Sequence, residues 1–142
     1  MRVPAAFALL AMAACRSGPP QPVDIDASDM CSRCRMAISQ NRYAAELLDR
    51  EGNAFKFDDI GCMVHYAADH HLNPKEQTIF VMDYQSQHWL KADQAVYVRS
   101  GAIPSPMSGG LAAFHDRAQA EELARTVQGR ILAFEELWTA KS

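Results

Sequence analysis

Beyond its first fifteen residues, this chain never strings together more than a few apolar positions. Tyr43 to Leu48, Ala54 to Phe57, Thr78 to Asp83, Trp89 to Lys91, Ala95 to Arg99 and Leu111 to Phe114 are the apolar stretches, with Gly, Pro, Asn or Asp close by. Runs of that length read as short strands, and the first two form a hairpin around Asp49-Arg50-Glu51-Gly52-Asn53. Two other segments carry a helical stripe. One runs from Ile60 to about His70, with Ile60, Met63, Val64, Ala67 and, at its end, His71 inward. The other runs from Asp116 to about Val127, with Ala120, Leu123, Ala124 and Val127 inward. Asp58 or Asp59 can cap the first and Asp116 the second. Asn73-Pro74 stops the first, and Gly129 sits where a left-handed residue ends the second. Ile131 to Phe134 reads as a last strand and Glu135 to Ala140 as a terminal turn of helix.

Phe57-Asp58-Asp59 plus a helix is echoed by Phe114-His115-Asp116 plus a helix at an offset of 57 residues. The expected fold class is therefore α+β: two small ββα-type units with antiparallel strands and segregated helices. With 142 residues, 49% apolar and 22% charged, one domain can bury an ordinary core. A net charge of −3 and a pI near 5.9 argue against a nucleic-acid binder.

Residues 1–14 read as a signal peptide. Arg2 precedes an apolar run from Val3 to Ala14, which ends in Ala13-Ala14 before Cys15. Small residues followed directly by cysteine look like the lipobox of bacterial lipoproteins, with Cys15 the acylated residue. Cleavage there leaves 128 residues and, with Arg2 lost, a charge of −4. Residues 15–28 are then the lipidated cysteine and a Pro-rich flexible tether, and residues 29–142 the folded domain. The expected location is the cell envelope, periplasm-facing. Arg16 in place of an aspartate after Cys15 favours the outer over the inner membrane.

The remaining chemistry is carried by sulfur. Cys31-x-x-Cys34-x-Met36 places three soft donors within six residues, and thiolate plus thioether favours Cu(I) over hard cations. Cys62 and His65 fall at neighbouring helical positions and are candidate secondary ligands. Met107 sits in the Pro/Gly-rich loop 101–110, either as a loop anchor or as a presented ligand. A structural zinc site lacks a recognisable second ligand pair. A Cys31–Cys34 disulfide is the serious competitor in an oxidising compartment.

In order, the chain shows the lipobox, Cys31-Ser-Arg-Cys34-Arg-Met36, Asp49-Arg-Glu-Gly52, Phe57-Asp-Asp-Ile-Gly-Cys62-Met63, Phe80-Val-Met-Asp-Tyr84, Ala95-Val-Tyr97-Val, Pro106-Met107-Ser-Gly109 and Gly129. This pattern resembles the NosL family of lipoprotein copper chaperones, from about residue 29 to residue 137. The resemblance implies a non-enzymatic Cu(I) carrier that delivers copper to apo nitrous oxide reductase. The upstream copper-supplying protein is not identified. It also implies a metal site at Cys34, Met36 and Met107, with Cys31 as a further ligand or a redox guard. Two positions depart from the family pattern: Arg35 and Ser108 stand where glycine is common. Arg35 is expected to lower the pKa of Cys34. Two other classes remain open. One is a thiol redox or organometal lyase-like enzyme using Cys31, Cys34 and Cys62; the other is a structural lipoprotein with a disulfide.

Overall fold

The computed structural model describes residues 18–139, so the expected signal peptide and Cys15 lie outside the described residues. Seven strands and three α-helices follow in the order β1 (Ala45–Leu48), β2 (Ala54–Phe57), α1 (Ile60–Asp69), β3 (Thr78–Met82), β4 (Trp89–Lys91), β5 (Val96–Arg99), β6 (Leu111–Phe114), α2 (Arg117–Thr126), β7 (Arg130–Leu132) and α3 (Glu136–Thr139). The expected strands are present. Tyr43 closes a single turn of 3₁₀-helix (Asn41–Tyr43) instead of opening β1.

Each unit is larger than a ββα element. The first sheet has the order β2-β1-β3-β4 and the second β6-β5-β7. In both, the first strand of the unit is central and pairs antiparallel with the strand before the helix and the strand after it. The helix thus crosses over the central strand to a third one, and the repeat is ββαβ. The sheets meet where Asp83 bridges Ala113. Tyr84 N donates to Ala113 O at 2.7 Å and His115 N to Asp83 Oδ1 at 2.8 Å.

Side-chain alternation distributes the strands over two cores. Ala45 and Leu47 of β1, Tyr97 of β5, and Leu111 and Ala113 of β6 join Ile60, Cys62 and Met63 of α1 in one shared core. Val98, Ala112 and Phe114 face the other way and pack on Ala120 and Ala124 of α2. So α1 lies within the core that both units share, and α2 covers the second sheet from outside.

Both helices end alike. Leu72 N donates to Ala67 O at 2.8 Å and Gly129 N to Ala124 O at 2.8 Å, each a six-to-one closing bond. The left-handed residue between is His71 (φ 53°) in α1 and Gln128 (φ 50°) in α2. Two expectations are corrected here. His71 is an exposed capping residue, not part of the inward stripe. Gly129 follows the left-handed position rather than occupying it. It is small because a Cβ there would approach Val98 Cγ1 to 2.9 Å and Arg99 O to 3.0 Å.

The tether expected over residues 15–28 is shorter, because its last part is folded. Val23 N donates to the buried Glu46 Oε1 at 2.9 Å, and Lys56 Nζ, opposite Glu46 across β1 and β2, donates to Asp24 O at 2.6 Å. Ile25 packs on Ile38, Ala44 and Met82. The segment from Val23 straps the face of the first sheet that points away from the shared core.

Candidate metal centre

Asp59, rather than Asp58, caps α1: its Oδ1 accepts from Gly61 N at 2.6 Å. With one carboxylate committed to the cap, its neighbour is free to point elsewhere. Asp58 is 1% exposed. Both of its carboxylate oxygens lie 3.5 Å from Cys34 Sγ. Cys62, in the first turn of α1, is buried beside them. The Cys31-to-Met36 segment folds over this helix start as a tight turn. Arg35 N donates to Cys31 O at 3.0 Å, and Cys31 N to Met36 O at 2.8 Å. One sulfur each from Cys31, Cys34 and Cys62 and one oxygen from Asp58 lie within 4.8 Å of one another. The three cysteines are free thiols.

The turn is built around its sulfurs. Neighbouring backbone amides, those of Cys34, Asp58 and Arg33 at Cys31 and that of Met36 at Cys34, favour the thiolate forms of the two sulfurs. Closing such a turn requires a left-handed residue after the second cysteine, and Arg35 supplies it at φ 65°. Ser108, the other position where the family pattern favours glycine, is also left-handed, at φ 57°. Both departures therefore fall on backbone that glycine adopts without a Cβ penalty.

One sulfur in the cluster is singled out for charge. A hydrogen bond from the Cys62 thiol, helped by the backbone amides, holds the Cys31 thiol down to about 4 against the cost of burial. Cys62 is driven the opposite way, because its proton is held by Cys31 and it is buried. Burial pushes the Asp58 carboxyl up to about 6, and the neighbouring Cys31 adds to the shift. Burial also raises Cys34, with the Cys31 charge opposing ionisation. The expected lowering of Cys34 by Arg35 is thus overturned. The exposed guanidinium is outweighed by desolvation and by the Cys31 thiolate three positions earlier in the turn.

Cys31, Cys34 and Cys62, all named from the sequence, are brought together. His65 is not; it is exposed, and the buried Cys62 faces the core. The member of the cluster not named as a ligand from the sequence is Asp58. Its signal was the doubled acid of Phe57-Asp58-Asp59, where one carboxylate suffices to cap a helix.

The two methionines expected as ligands are exposed at the surface. Met36 is 60% exposed and Met107 46%. Met107 N donates to Asp59 Oδ2 at 3.3 Å, so the loop 101–110 is tied to the residue that caps α1. Gly61 and Gly109 permit that approach: a Cβ on Gly61 would meet Gly109 Cα at 3.2 Å, and one on Gly109 would collide with the Asp59 carboxylate.

No curated protein matches this chain. In fold it is similar to the crystal structure of the copper chaperone NosL from Shewanella denitrificans. That match has a TM-score of 0.75 and 19% identity, over 84% of this chain and 96% of that one. The family model described as NosL matches residues 22–141, nearly the whole of the folded part, and the chain belongs to the NosL family.

Proposed function

We propose that the protein is a carrier of Cu(I), not an enzyme, and that it hands the ion on by ligand exchange. The observation that carries this reading is the convergence of three thiols at the start of α1, in a chain of the NosL family. Soft thiolates hold Cu(I) well, and Cu(I) is satisfied by two or three such donors. Cys31 enters the reaction already charged. Cys34 is the half-exposed member of the cluster, and the exposed Met36 and Met107 lie on the adjoining segments. In the proposed mechanism, copper arrives at the thioethers, is captured by Cys34 as its thiol gives up its proton to the facing Asp58 carboxylate and on to solvent, and is held by thiolate. An incoming thiolate or imidazole from a recipient then attacks the open position, and Cys34 is the last sulfur to let go.

The proposed recipient is apo nitrous oxide reductase, and the proposed location is the periplasm-facing surface of a membrane, anchored through acylated Cys15. These rest on the sequence resemblance and on the leader. The experiment is an anaerobic Cu(I) titration of the reduced chain against a competing chelator, repeated on Cys34→Ala and Met107→Ala. Tight binding weakened by more than about tenfold in both, about 1.4 kcal/mol each, is the expected result. Affinity and stoichiometry unchanged in both would end the Cys/Met assignment. Transfer to the apo reductase, followed by regain of its copper absorption, tests the recipient; labelling of Cys15 by a palmitate probe tests the anchor.

A further inference from the structure

The middle of β1 holds an acid where packing alone asks for an apolar side chain. All four residues of the strand are buried. Ala45 and Leu47 enter the shared core, and by alternation Glu46 points to the opposite face, under the strap that begins at Val23. Glu46 is fully buried. Its Oε1 accepts from Val23 N at 2.9 Å, while its Oε2 is buried with no hydrogen-bond partner among the described residues. A leucine there would pack under the strap without the cost of a buried, half-satisfied carboxyl.

The groups around Glu46 do not neutralise it. Lys56 is its register partner on β2, but the ammonium turns to the strap: Nζ donates to Asp24 O at 2.6 Å and to Asp29 Oδ2 at 2.5 Å. On the other side β3 sets Phe80 opposite Glu46 and carries no titratable side chain. The strap and its base bring two acids, Asp24 and Asp29. One cation thus faces two carboxylates before Glu46 is counted. Burial, helped by Asp24 and Asp29 and opposed by the Val23 amide and Lys56, holds the Glu46 carboxyl above the usual carboxylate range. The closed strap therefore calls for a proton on Glu46, and lifting the strap gives the carboxylate to water. What holds the strap down is the Lys56 clasp and one apolar contact, Ile25 on Ile38, Ala44 and Met82. Its base is Asp29, whose carbonyl accepts from Ile38 N at 3.0 Å.

We propose that Glu46 makes residues 23–28 a proton-gated strap, closed on the first sheet while Glu46 is protonated and lifted as that proton passes to solvent. Only the carboxyl O–H bond is broken, and nothing is oxidised or reduced. The consequence is reach. Closed at Val23, the domain is eight residue steps from Cys15, at most about 28 Å. Lifted as far as Asp29, the lead is fourteen steps and at most about 49 Å. This goes beyond the copper reading and does not rest on it. The sign follows from linkage. The closed strap keeps a proton that the lifted one releases at an ordinary glutamate value of about 4.3. Opening is independent of pH below that value and grows about tenfold per pH unit above it. It levels off past the raised value of the closed state, so acid fastens the strap and rising pH loosens it.

The test follows the Val23 amide of the full chain by NMR hydrogen exchange from about pH 4 to about pH 8, corrected for the intrinsic exchange rate. The amides of Leu72 and Gly129 are the references, because their acceptors are main-chain carbonyls. The Val23 opening constant should rise about tenfold or more across that range while the references stay level. Glu46→Gln keeps an oxygen for Val23 N and removes the charge. Its opening constant should be flat, and at neutral pH about tenfold or more below that of the unaltered chain. Carbon-13 titration of the unaltered chain should find the Glu46 carboxyl above the ordinary glutamate value. A Val23 opening constant that is flat, or that moves in step with the references, would overturn the gate. So would a pH dependence that survives Glu46→Gln, or a Glu46 carboxyl with an ordinary titration. A Glu46→Gln strap looser than the unaltered one at neutral pH would also overturn it, by showing that attraction between charged Glu46 and Lys56 holds the strap. If Glu46→Gln does not fold, the carboxyl titration decides. None of these measurements involves copper, so their failure and that of the copper reading are distinct.

Discussion

The two ββαβ units differ in what their helices are packed against. α1 and α2 each have ten residues, begin after an aspartate cap and end on a left-handed residue followed by a six-to-one bond. At the offset of 57, Phe57 matches Phe114, Asp59 matches Asp116, and Ala67 matches Ala124. Yet α1 buries Ile60, Gly61, Cys62, Met63 and Ala67, whereas α2 buries only Ala120 and Ala124. At the positions of Asp58 and Cys62, the second unit carries the exposed His115 and Gln119. Two helices of one design thus make different sites, because one start is enclosed by the Cys31–Met36 turn and the 101–110 loop and the other is open to water. Burial forces the carboxylate and thiols of the first unit to satisfy one another, and that mutual satisfaction is what a metal can replace.

This contrast can be broken experimentally. The largest effect is all-or-none. In the metal-free chain, one thiolate should persist from neutral pH down to about 4, and Cys31→Ser should abolish it. Ultraviolet thiolate absorbance across a pH titration measures this. Because the folded pKa of Cys31 is depressed, its stabilising contribution is present above the unfolded thiol value and lost as pH falls through about 4. A thiolate retained at neutral pH in Cys31→Ser would show that the charge sits elsewhere in the cluster.

Next come the two caps. Asp59→Ala removes the acceptor of both Gly61 N and Met107 N in a buried place. It should cost about 2–4 kcal/mol, a cap plus an unsatisfied buried donor. Asp116→Ala strips an exposed cap that serves Ala118 N and Gln119 N. Its expected cost is about 1 kcal/mol. Urea denaturation of both variants compares them, and equal losses would mean that the enclosure of α1 adds nothing.

Smaller again is Gly61→Ala. The matching position in α2 is already Ala118, where alanine helps a helix. At Gly61 the new Cβ would press on Asp59 Oδ1 at 2.8 Å and Gly109 Cα at 3.2 Å. The expected net loss is about 1–2 kcal/mol, overpacking outweighing propensity, and a gain in melting temperature would argue that the loop yields freely.

The smallest effect concerns what the helices share. His71→Gly and Gln128→Gly should each stabilise by up to about 1 kcal/mol by relieving a left-handed Cβ. The two gains should agree, since both ends are solvent-facing; calorimetry of the pair checks the symmetry.

Much of the first unit could be read directly from residue order. The Asp49–Asn53 turn, the edges of β2 and β6, and the start of α1 were legible because turn residues and caps act within a few positions. The last strand was less so: Ile131 to Phe134 was expected, and β7 is Arg130–Leu132, a three-residue strand whose partner β5 lies 31 to 35 positions away. The site divided in the same way. Cys31 and Cys34 are local and announce themselves by spacing. Cys62 looked like helix core, and it is also that. Asp58 looked like a cap because caps are common and the competing acid beside it was indistinguishable in type.

By itself, then, the sequence determined the alphabet of the site: soft sulfur donors, two helices of matching design, and a family pattern that runs the length of the folded part. Only the tertiary structure decided which sulfurs share a cage, that Asp58 joins them while Asp59 caps, and that Met36 and Met107 stay at the surface. The reason is physical. Donor chemistry is a property of each side chain, but coordination depends on distance and burial. Those are set by where α1 is pressed between the sheets, by contacts made across 24 to 48 residues of chain.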